Sequence, residues 1–341
     1  MANQNAPLLE VKGLRTYFIS KHETVKAVDG VSFVVNEQET FGLVGESGCG
    51  KSMTCRSILG LVKRPGRVVD GEILYKGEDL LRKSRKEMQA LRGKELGMIF
   101  QEPMTALNPL LRVKDQIIDA LDKTVYDTKE KQYNRALEML KLVGIPAPEM
   151  RLEEYPHQFS GGMRQRVMIA IALCSGLKLL LADEPTTALD VTIQDQVIKL
   201  INRLRDQLKM SVILITHDLG VVAQMCDRVA VMYAGQIVEM ADTRTLFHTP
   251  RHPYTYALMQ SLPGPVNTAK RLPTIEGAPP NLAHLPEGCP FAPRCRFAQD
   301  ICRQQRPELL PYEGDGKHLV RCHIRDARTQ FAGAGSNGEV K

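Results

Sequence analysis

The stretch FGLVGESGCGKS, residues 41–52, decides the fold of this 341-residue chain. Its apolar start predicts a buried strand, and Gly45, four further residues and then Gly50, Lys51 and Ser52 follow with P-loop spacing. Glycines let successive backbone N–H groups point inward at a phosphate, with a helix N-terminus behind them. The motif therefore predicts a nucleotide site in which Lys51 reaches the β- and γ-phosphates and the Ser52 hydroxyl ligates Mg²⁺. The predicted nucleotide contacts of this loop are Gly45, Glu46, Ser47, Gly48, Cys49, Gly50, Lys51, Ser52 and Met53.

A second motif, LKLLLADEPTTALD at residues 177–190, begins with an apolar run that suits a strand buried on both faces of a parallel sheet. Asp183 and Glu184 follow at its carboxyl end, where α/β folds place their ligands. Asp183 is suited to hold Mg²⁺, and Glu184 is suited to polarise a water for attack on the γ-phosphate. The sequence predicts that both carboxylates face the P-loop.

A third strand, SVILITHD at residues 211–218, ends in His217, which is expected at the same sheet edge and near the γ-phosphate. Between the second and third strands, apolar residues recur at helical spacing and predict a helix packed on the core. These residues are Ile193, Val197, Leu200, Ile201, Leu204 and Leu208. A strand, a long helix and a strand form a βαβ unit, so the pattern predicts an α/β fold with a doubly wound, mostly parallel core sheet.

The bulk composition is that of a soluble domain, with 43% hydrophobic and 25% charged residues and a net charge of +6. No apolar run reaches the roughly 18 residues that cross a bilayer, and the N-terminus lacks the basic start and apolar core of a signal peptide. We therefore expect a cytosolic chain with reduced thiols. Acidic and basic residues are interspersed, so we expect no nucleic-acid partner.

Three further segments, IFQEP (99–103), QFSGGMRQR (158–166) and TALD (187–190), are not needed by a generic P-loop enzyme. With them, residues from about 8 to 262 resemble the ATP-binding subunits of ABC transporters. FSGGM is similar to the family signature LSGGQ, Gln101 matches the Q-loop glutamine, Asp190 ends the D-loop, and His217 matches the switch histidine. The resemblance implies a P-loop ABC ATPase in which Glu184, His217 and Gln101 are catalytic and Gln101 also approaches Mg²⁺ beside Ser52 and Asp183.

The signature segment is expected to complete a second nucleotide site. Ser160 can cap a helix whose first turn, at Gly161 and Gly162, offers bare N–H donors. The resemblance implies that this helix end, together with Asp190, contacts ATP bound to an opposite subunit. It also implies that an aromatic residue upstream of the P-loop stacks on adenine; Phe18 best fits the family spacing, and Tyr17 is the alternative.

Longer segments resemble one branch of the family, the dipeptide, oligopeptide and nickel importers. They are residues 92–113, 155–170, 182–194 and 250–258. The resemblance implies a motor subunit that works with two membrane permeases, a second and usually different ATPase chain, and an extracytoplasmic solute-binding protein. Such a chain would lie at the cytoplasmic face of the inner membrane. Its cargo is expected to be di- or oligopeptides, with nickel, glutathione or another small solute as alternatives, and a soluble ABC ATPase acting on nucleic acid or ribosomes is a remote alternative.

The expected domain organisation has three parts. Residues 1–262 form the ATPase domain, in which residues of about 102–170 form a helical subdomain that grips the permease. Residues 263–325 form a small, loop-rich, cysteine-bearing extension, and residues 326–341 form a disordered tail.

Four of the eight cysteines, Cys289, Cys295, Cys302 and Cys322, fall in that extension with five, six and nineteen residues between them. Disulfides are disfavoured in a reducing compartment. Zinc sites favour two pairs of cysteines with two to four residues between the members of each pair, and these are absent here. Iron–sulfur clusters accept looser spacings. Disulfides, zinc, an iron–sulfur cluster or no metal at all therefore remain open on spacing alone.

The family resemblance implies a [4Fe–4S] cluster held by these four cysteines, since some members of the branch carry one in a similar extension. Arg294, Arg296, Arg303 and Arg321 stand beside the cysteines in sequence and are expected to lower the pKa values of the thiols. We expect the cluster to tie down a segment with little core of its own, outside the ATP site.

Overall fold

The computed structural model describes residues 7–101, 106–187, 189–261, 274–312 and 315–324. The predicted tail at 326–341, the boundary at 262–263 and Ala188 of the D-loop lie outside these residues. Within them the chain forms two sheets and a set of helices, and its α/β class is the one predicted. The strands are β1 Leu9–Ile19, β2 Thr24–Val35, β3 Thr40–Val44, β4 Gly66–Tyr75, β5 Glu78–Asp79, β6 Leu96–Ile99, β7 Leu179–Asp183, β8 Ser211–Thr216, β9 Arg228–Tyr233, β10 Gln236–Asp242, β11 Leu310–Tyr312 and β12 Asp315–Val320.

Besides three 3₁₀ helices, Leu80–Arg82, Pro156–Gln158 and Ala292–Arg294, the described residues form α-helices. They are α1 Lys51–Ile58, α2 Arg85–Leu91, α3 Val113–Ala120, α4 Lys129–Leu142, α5 Pro148–Arg151, α6 Gly161–Leu173, α7 Val191–Leu208, α8 Leu219–Met225, α9 Thr243–His248, α10 Pro253–Gln260 and α11 Asp300–Gln304.

The main sheet has eight strands in the order β11-β12-β10-β9-β3-β8-β7-β6. Strands β9, β3, β8, β7 and β6 are parallel neighbours, and β10 and β12 continue the sheet antiparallel. The P-loop strand β3 therefore has a parallel neighbour on each side, β9 and β8. This order brings the carboxyl ends of β3, β7 and β8 to one edge.

The second sheet is antiparallel, in the order β2-β1-β4-β5. It shares one hydrophobic core with the inner face of the main sheet and with α1, whereas α3, α4, α6, α7 and α8 cover the other face. Alternate residues of β7 enter different cores: Leu180 packs on the helical side, and Leu179 and Leu181 on the side of the antiparallel sheet. The apolar run of β7 is thus buried on both faces, as its composition predicts.

The predicted helix between the second and third strands is α7, and its stripe is core packing as expected. Val197, Leu200, Ile201 and Leu204 are buried, and Ile193 and Leu208 pack partly buried beside them.

The cysteine-bearing segment is joined to the ATPase sheet. Residues 274–291 have no helix or strand, but β12 pairs with β10 through Glu239–Val320 and Met240–Leu319. A buried carboxylate reinforces this joint: Glu239 accepts hydrogen bonds from the backbone N–H groups of Arg251 (2.7 Å) and His252 (2.9 Å), and the Nε2 atom of His318 on β12 lies 2.7 Å away. Burying this acid requires such partners, because an unpaired carboxylate would be strongly destabilising.

Candidate functional site

The P-loop connects β3 to α1, and its glycines are held by close backbone contacts. Gly45 has φ 150°, and a Cβ there would lie 2.2 Å from the carbonyl oxygen of Met232. Gly50 has φ 109°, and a Cβ there would lie 2.3 Å from the carbonyl oxygen of Ala27. Only glycine fits at these positions without a shift of the backbone. The loop is therefore clamped between β2 and β9.

The other loop residues divide into exposed and buried ones. Ser47 and Gly48 are exposed at the tip, whereas Cys49 is buried, and its burial raises the pKa of the thiol. Met53 packs partly buried against the core shared with the antiparallel sheet. Cys49 can therefore contribute to a phosphate site through its backbone rather than through its thiol.

The side chain of Lys51 lies inside the loop. The residue is 4% exposed, and its Nζ donates to the carbonyl oxygens of Gly45 (2.7 Å) and Glu46 (3.0 Å). An ammonium held among these backbone groups concentrates positive charge where the motif places the β- and γ-phosphates.

The two predicted Mg²⁺ ligands lie together. The Ser52 hydroxyl donates to Oδ1 of Asp183 at 2.7 Å, across 131 residues of sequence. Burial raises the pKa of Asp183, and the hydrogen bond from Ser52 opposes that shift. A hydroxyl and a buried carboxylate side by side are oxygen donors of the kind that Mg²⁺ binds alongside phosphate oxygens.

Glu184 lies at the centre of a polar cluster. Its Oε2 accepts from Nε2 of Gln101 (3.1 Å) and from the hydroxyl of Thr187 (2.9 Å), and Nδ1 of His217 lies 3.4 Å away. Its backbone N–H donates to the carbonyl oxygen of Ile215 on β8. The structure thus brings together the three side chains predicted to be catalytic. Gln101 points at Glu184 here, so its contact with Mg²⁺ stays a prediction.

The signature segment forms the first turn of α6. Ser160 is the N-cap, and its hydroxyl accepts from the backbone N–H of Met163 at 3.3 Å. One turn later, the amide of Gln165, which is buried, donates to the carbonyl oxygen of Pro185 at 2.6 Å. The signature helix is therefore tied to the residue that follows Glu184.

Gly161 and Gly162 have different surroundings in that turn. A Cβ on Gly162 would lie 2.8 Å from Cγ2 of Ile193, whereas the nearest atom at Gly161 is 4.0 Å away, on Leu189. Asp190 caps α7, because its carboxylate accepts from the backbone N–H of Ile193 at 2.9 Å. Its predicted contact with nucleotide on an opposite subunit stays a prediction.

The two aromatic candidates for adenine stacking differ in their contacts. The hydroxyl of Tyr17 donates to Asp29 at 2.6 Å, and burial raises the pKa of that hydroxyl. The ring of Phe18 lies against Gly66, where a Cβ would sit 2.8 Å from Cε1. Because Tyr17 is fixed by a hydrogen bond within its own sheet, Phe18 remains the preferred candidate.

A contact that sequence reasoning missed connects the P-loop to the cysteine-bearing segment. The guanidinium of Arg294 donates to both carboxylate oxygens of Glu46, at 2.7 and 2.9 Å, and the backbone N–H of Glu46 donates to the hydroxyl of Tyr254 at 2.8 Å. That the segment lies outside the ATP site stays a prediction, but Arg294 contacts a residue of the P-loop. A sequence separation of 248 residues gives no local signal for this contact.

The four C-terminal cysteines border one small apolar cavity, and all of them carry free thiols. They come from separate stretches that are linked by backbone, since the N–H of Cys289 donates to the carbonyl oxygen of Cys302 at 2.8 Å. Within the described ranges, however, no three or more His, Cys, Asp or Glu side chains are arranged to hold a metal ion.

The expectation that neighbouring arginines lower the thiol pKa values is wrong for Cys289, Cys295 and Cys322. Burial raises the pKa of Cys289, raises that of Cys295 to about 11 and raises that of Cys322 to about 12. The arginines face other partners: Arg294 binds Glu46, and Arg321 donates to the carbonyl oxygens of Ile237 and Pro307. Nearness in sequence did not place their charges at the thiols.

Comparison with known proteins adds two family matches. The model described as "ABC transporter" matches residues 28–187, and the one described as "Oligopeptide/dipeptide transporter, C-terminal region" matches residues 238–302. The chain is 49% identical to the dipeptide transport ATP-binding protein DppD of Bacillus subtilis, over 95% of this chain and 97% of that protein. It is 51% identical to the oligopeptide transport ATP-binding protein OppD of the same organism, over 89% of this chain and 85% of that protein.

Solved structures of ATP-binding cassettes share the fold. The dimeric structure of MJ0796, a bacterial ABC transporter cassette, matches with a TM-score of 0.61 and 27% identity, over 69% of this chain and 99% of that one. The structure of cbiO1 from Clostridium perfringens, part of the ABC transporter complex cbiONQ, matches with a TM-score of 0.61 and 26% identity, over 71% of this chain and 91% of that one.

Proposed function

The chain belongs to the ABC transporter ATP-binding subunits of the oligopeptide and dipeptide branch, and on that premise we propose that it is the motor of an importer of di- or oligopeptides. The observation that carries the proposal is the constellation of Lys51, Ser52, Asp183 and Glu184 at one edge of the sheet. Its relatives DppD and OppD are named for dipeptide and oligopeptide transport. Hydrolysis of ATP to ADP and phosphate supplies the work.

We assign each residue the role that its position at this edge of the sheet supports. Lys51 and the P-loop amides bind the phosphates, and Ser52 and Asp183 would hold Mg²⁺, whose positive charge would offset the negative charge of the phosphates. Glu184 accepts a proton from the attacking water, and Gln101 and His217 orient that water and the γ-phosphate. The buried position of Asp183 is consistent with this role, because a bound cation offsets the cost of burying its charge.

Hydrolysis requires a second subunit in this proposal. The first turn of α6, in which Ser160 and Gly161 are exposed, presents N–H donors to the γ-phosphate of ATP bound on the opposite subunit. Val191, next to the D-loop Asp190, is 83% exposed. A similar cassette, MJ0796, is described as a dimer. The second subunit is a different ATPase chain of the same family.

The importer also contains two permeases and an extracytoplasmic solute-binding protein, and this chain works at the cytoplasmic face of the inner membrane. No helix in the described ranges has the length and apolar character to span a bilayer. Large apolar residues that precede and follow Gln101 in sequence are exposed and fit a permease contact: Phe100 is 42% exposed, Leu110 82% and Leu111 38%. Solvent exposure of neighbouring large apolar residues is typical of an interaction surface.

Co-purification from membranes tests this assembly. The chain should be recovered with permease subunits and should restore peptide uptake to cells that lack it. Recovery with ribosomes or DNA would instead favour a soluble ABC ATPase that acts on nucleic acid or ribosomes. Restored uptake of nickel or glutathione in place of peptides would show that the transported solute is not a peptide.

We further propose that Cys289, Cys295, Cys302 and Cys322 hold a [4Fe–4S] cluster. Four free thiols border one cavity, and a [4Fe–4S] cluster needs four thiolate donors, which the thiols could supply if their side chains moved together. A cluster would cross-link stretches that share only a small hydrophobic core.

Metal analysis of the chain, purified without oxygen, tests the cluster. Iron and acid-labile sulfide should be present in equal amounts, should be lost in Cys295→Ser and should be retained in Cys174→Ser, which alters a buried cysteine of the ATPase core. Zinc in place of iron would support a zinc site, and no metal would overturn both.

A further inference from the structure

Glu46 is the P-loop residue through which the C-terminal segment reaches the nucleotide site. Its carboxylate receives two hydrogen bonds from Arg294, and its backbone N–H donates to Tyr254. Both the side chain and the backbone of one loop residue are thus held by residues more than 200 positions away in sequence. These two contacts add to the hydrogen bonds that the carbonyl oxygen of Glu46 accepts from Lys51 and from the N–H of Cys49 within the loop.

Arg294 is fixed in place by several acceptors. Besides Glu46, its guanidinium donates to the hydroxyl of Tyr233 (3.3 Å) and to the carbonyl oxygens of Ile275 (3.4 Å) and Glu276 (3.0 Å). Its side chain is only 6% exposed. The Glu46 side chain is 24% exposed, and a partly buried, bidentate arginine–carboxylate pair is stronger and more directional than a surface ion pair. Arg294 therefore holds the carboxylate of Glu46 in one position.

The same segment supports the loop through an aromatic contact. Phe291 packs edge-on against Tyr233 and Tyr254, with ring centroids 5.2 and 5.3 Å apart. Phe291 and Arg294 both lie between Cys289 and Cys295. Any rearrangement of this short stretch moves the groups that hold Glu46.

We propose that Arg294 is a positioning residue for ATP binding, and that it couples the affinity of the P-loop for ATP to the arrangement of the cysteine-bearing segment. By linkage, bound ATP must then stabilise that segment by the same factor. The coupling requires no contact between Arg294 and nucleotide, because it acts by holding Glu46.

Substitution of Arg294 in the full chain tests the proposal. We expect Arg294→Gln to raise both the dissociation constant and the KM for ATP about 5- to 20-fold, with a much smaller effect on kcat at saturating ATP. Arg294→Lys keeps the charge but cannot donate two parallel hydrogen bonds to one carboxylate. Its dissociation constant for ATP should therefore lie between those of the wild type and of Arg294→Gln. The matched control is Arg296→Gln, because Arg296 is 71% exposed and its pairing with Glu276 at 3.4 Å is a surface contact.

A double-mutant cycle separates this role from a general loss of stability. If the pair acts as one unit, Glu46→Gln and Arg294→Gln should raise the dissociation constant by similar factors, and the double variant should add little to either. Fully additive effects, or wild-type ATP affinity in Arg294→Gln, would overturn the proposal.

The reciprocal effect, in which bound ATP stabilises the cysteine-bearing segment, is measured as the rate of alkylation of its cysteines. In the wild-type chain as purified without oxygen, ATP should slow alkylation of Cys295 and Cys322, and in Arg294→Gln this protection should be lost. Arg294→Lys and Glu46→Gln test the same Arg294–Glu46 pair independently. The coupling can therefore still be tested if the Arg294→Gln chain folds poorly. Protection that is equal in all of these variants would contradict the coupling.

Discussion

At the scale of single residues, Glu184 stands out by its backbone. It has φ 47°, a left-handed conformation that costs a residue with a side chain about 1–3 kcal/mol when it is enforced by its surroundings. The hydrogen bond from its N–H to Ile215 and the contacts of its carboxylate with Gln101 and Thr187 hold it there. This geometry turns the carboxylate away from the line of β7 and toward His217.

Glu184→Gln tests the role of that carboxylate. The amide keeps the size of the side chain but cannot accept a proton, so we expect kcat to fall by about 10²- to 10⁴-fold. ATP affinity should remain close to that of the wild type, because the phosphate contacts belong to the P-loop. Turnover above a tenth of the wild-type rate would show that another group serves as the base.

At the scale of elements, the start of α6 is fitted closely to α7. Ile193 leaves no room for a Cβ on Gly162, and its Cγ2 methyl belongs to a β-branched side chain that cannot easily rotate away. The neighbouring Gly161 has room. The two signature glycines therefore have different structural requirements.

Alanine substitution of each glycine measures this difference. We expect Gly162→Ala to lower the free energy of unfolding by about 1–3 kcal/mol through overpacking. Gly161→Ala should leave the free energy of unfolding unchanged or slightly higher. Urea unfolding of both variants gives the comparison, and equal stabilities would contradict the packing at α7.

The N-terminus of α10 gives the fold a sensitivity to acid. His252 caps this helix by accepting from the N–H of Tyr254, and burial lowers its pKa to about 3. The unfolded chain protonates the same histidine near its ordinary pKa of 6.5. Between these values the unfolded state binds more protons, so the free energy of unfolding rises with pH and is lost as pH falls from 6.5 toward 3.

His252→Asn isolates this contribution, because asparagine caps helices well but does not titrate. Between pH 6.5 and 5 the wild type should lose about 2 kcal/mol more of its free energy of unfolding than the variant does. Urea unfolding at both pH values measures the difference, and His248→Asn, at an exposed position, is the control. An identical loss in wild type and His252→Asn would show that His252 already titrates normally in the fold.

At the scale of the whole molecule, the sequence predicted what depends on local pattern. The P-loop, the buried strands β7 and β8 and the apolar stripe of α7 are each encoded within a short stretch, and the parallel order then brings Ser52 to Asp183. The contacts between the C-terminal segment and the ATPase domain are not encoded within one short stretch of sequence. Pairing of β12 with β10 rests on a short register, and the Arg294–Glu46 pair and the burial of Glu239 depend on tertiary packing alone.

The pKa values of the cysteines illustrate the same limit. The sequence shows arginines next to the thiols, but the direction in which each side chain points is decided by packing. Arg321 turns to the carbonyl oxygens of Ile237 and Pro307, and burial then dominates the pKa of Cys322.

Transport coupled to hydrolysis tests the central claim most directly. The chain is reconstituted into proteoliposomes with its permeases and the second ATPase, and the solute-binding protein is added on the extracytoplasmic side, with and without peptide. ATP hydrolysis should rise when the binding protein carries peptide, labelled peptide should accumulate, and both effects should vanish when this chain carries Glu184→Gln. A rate of ATP hydrolysis that does not change when the binding protein carries peptide, with no accumulation of labelled peptide, would contradict the assignment of this chain as the motor of a peptide importer.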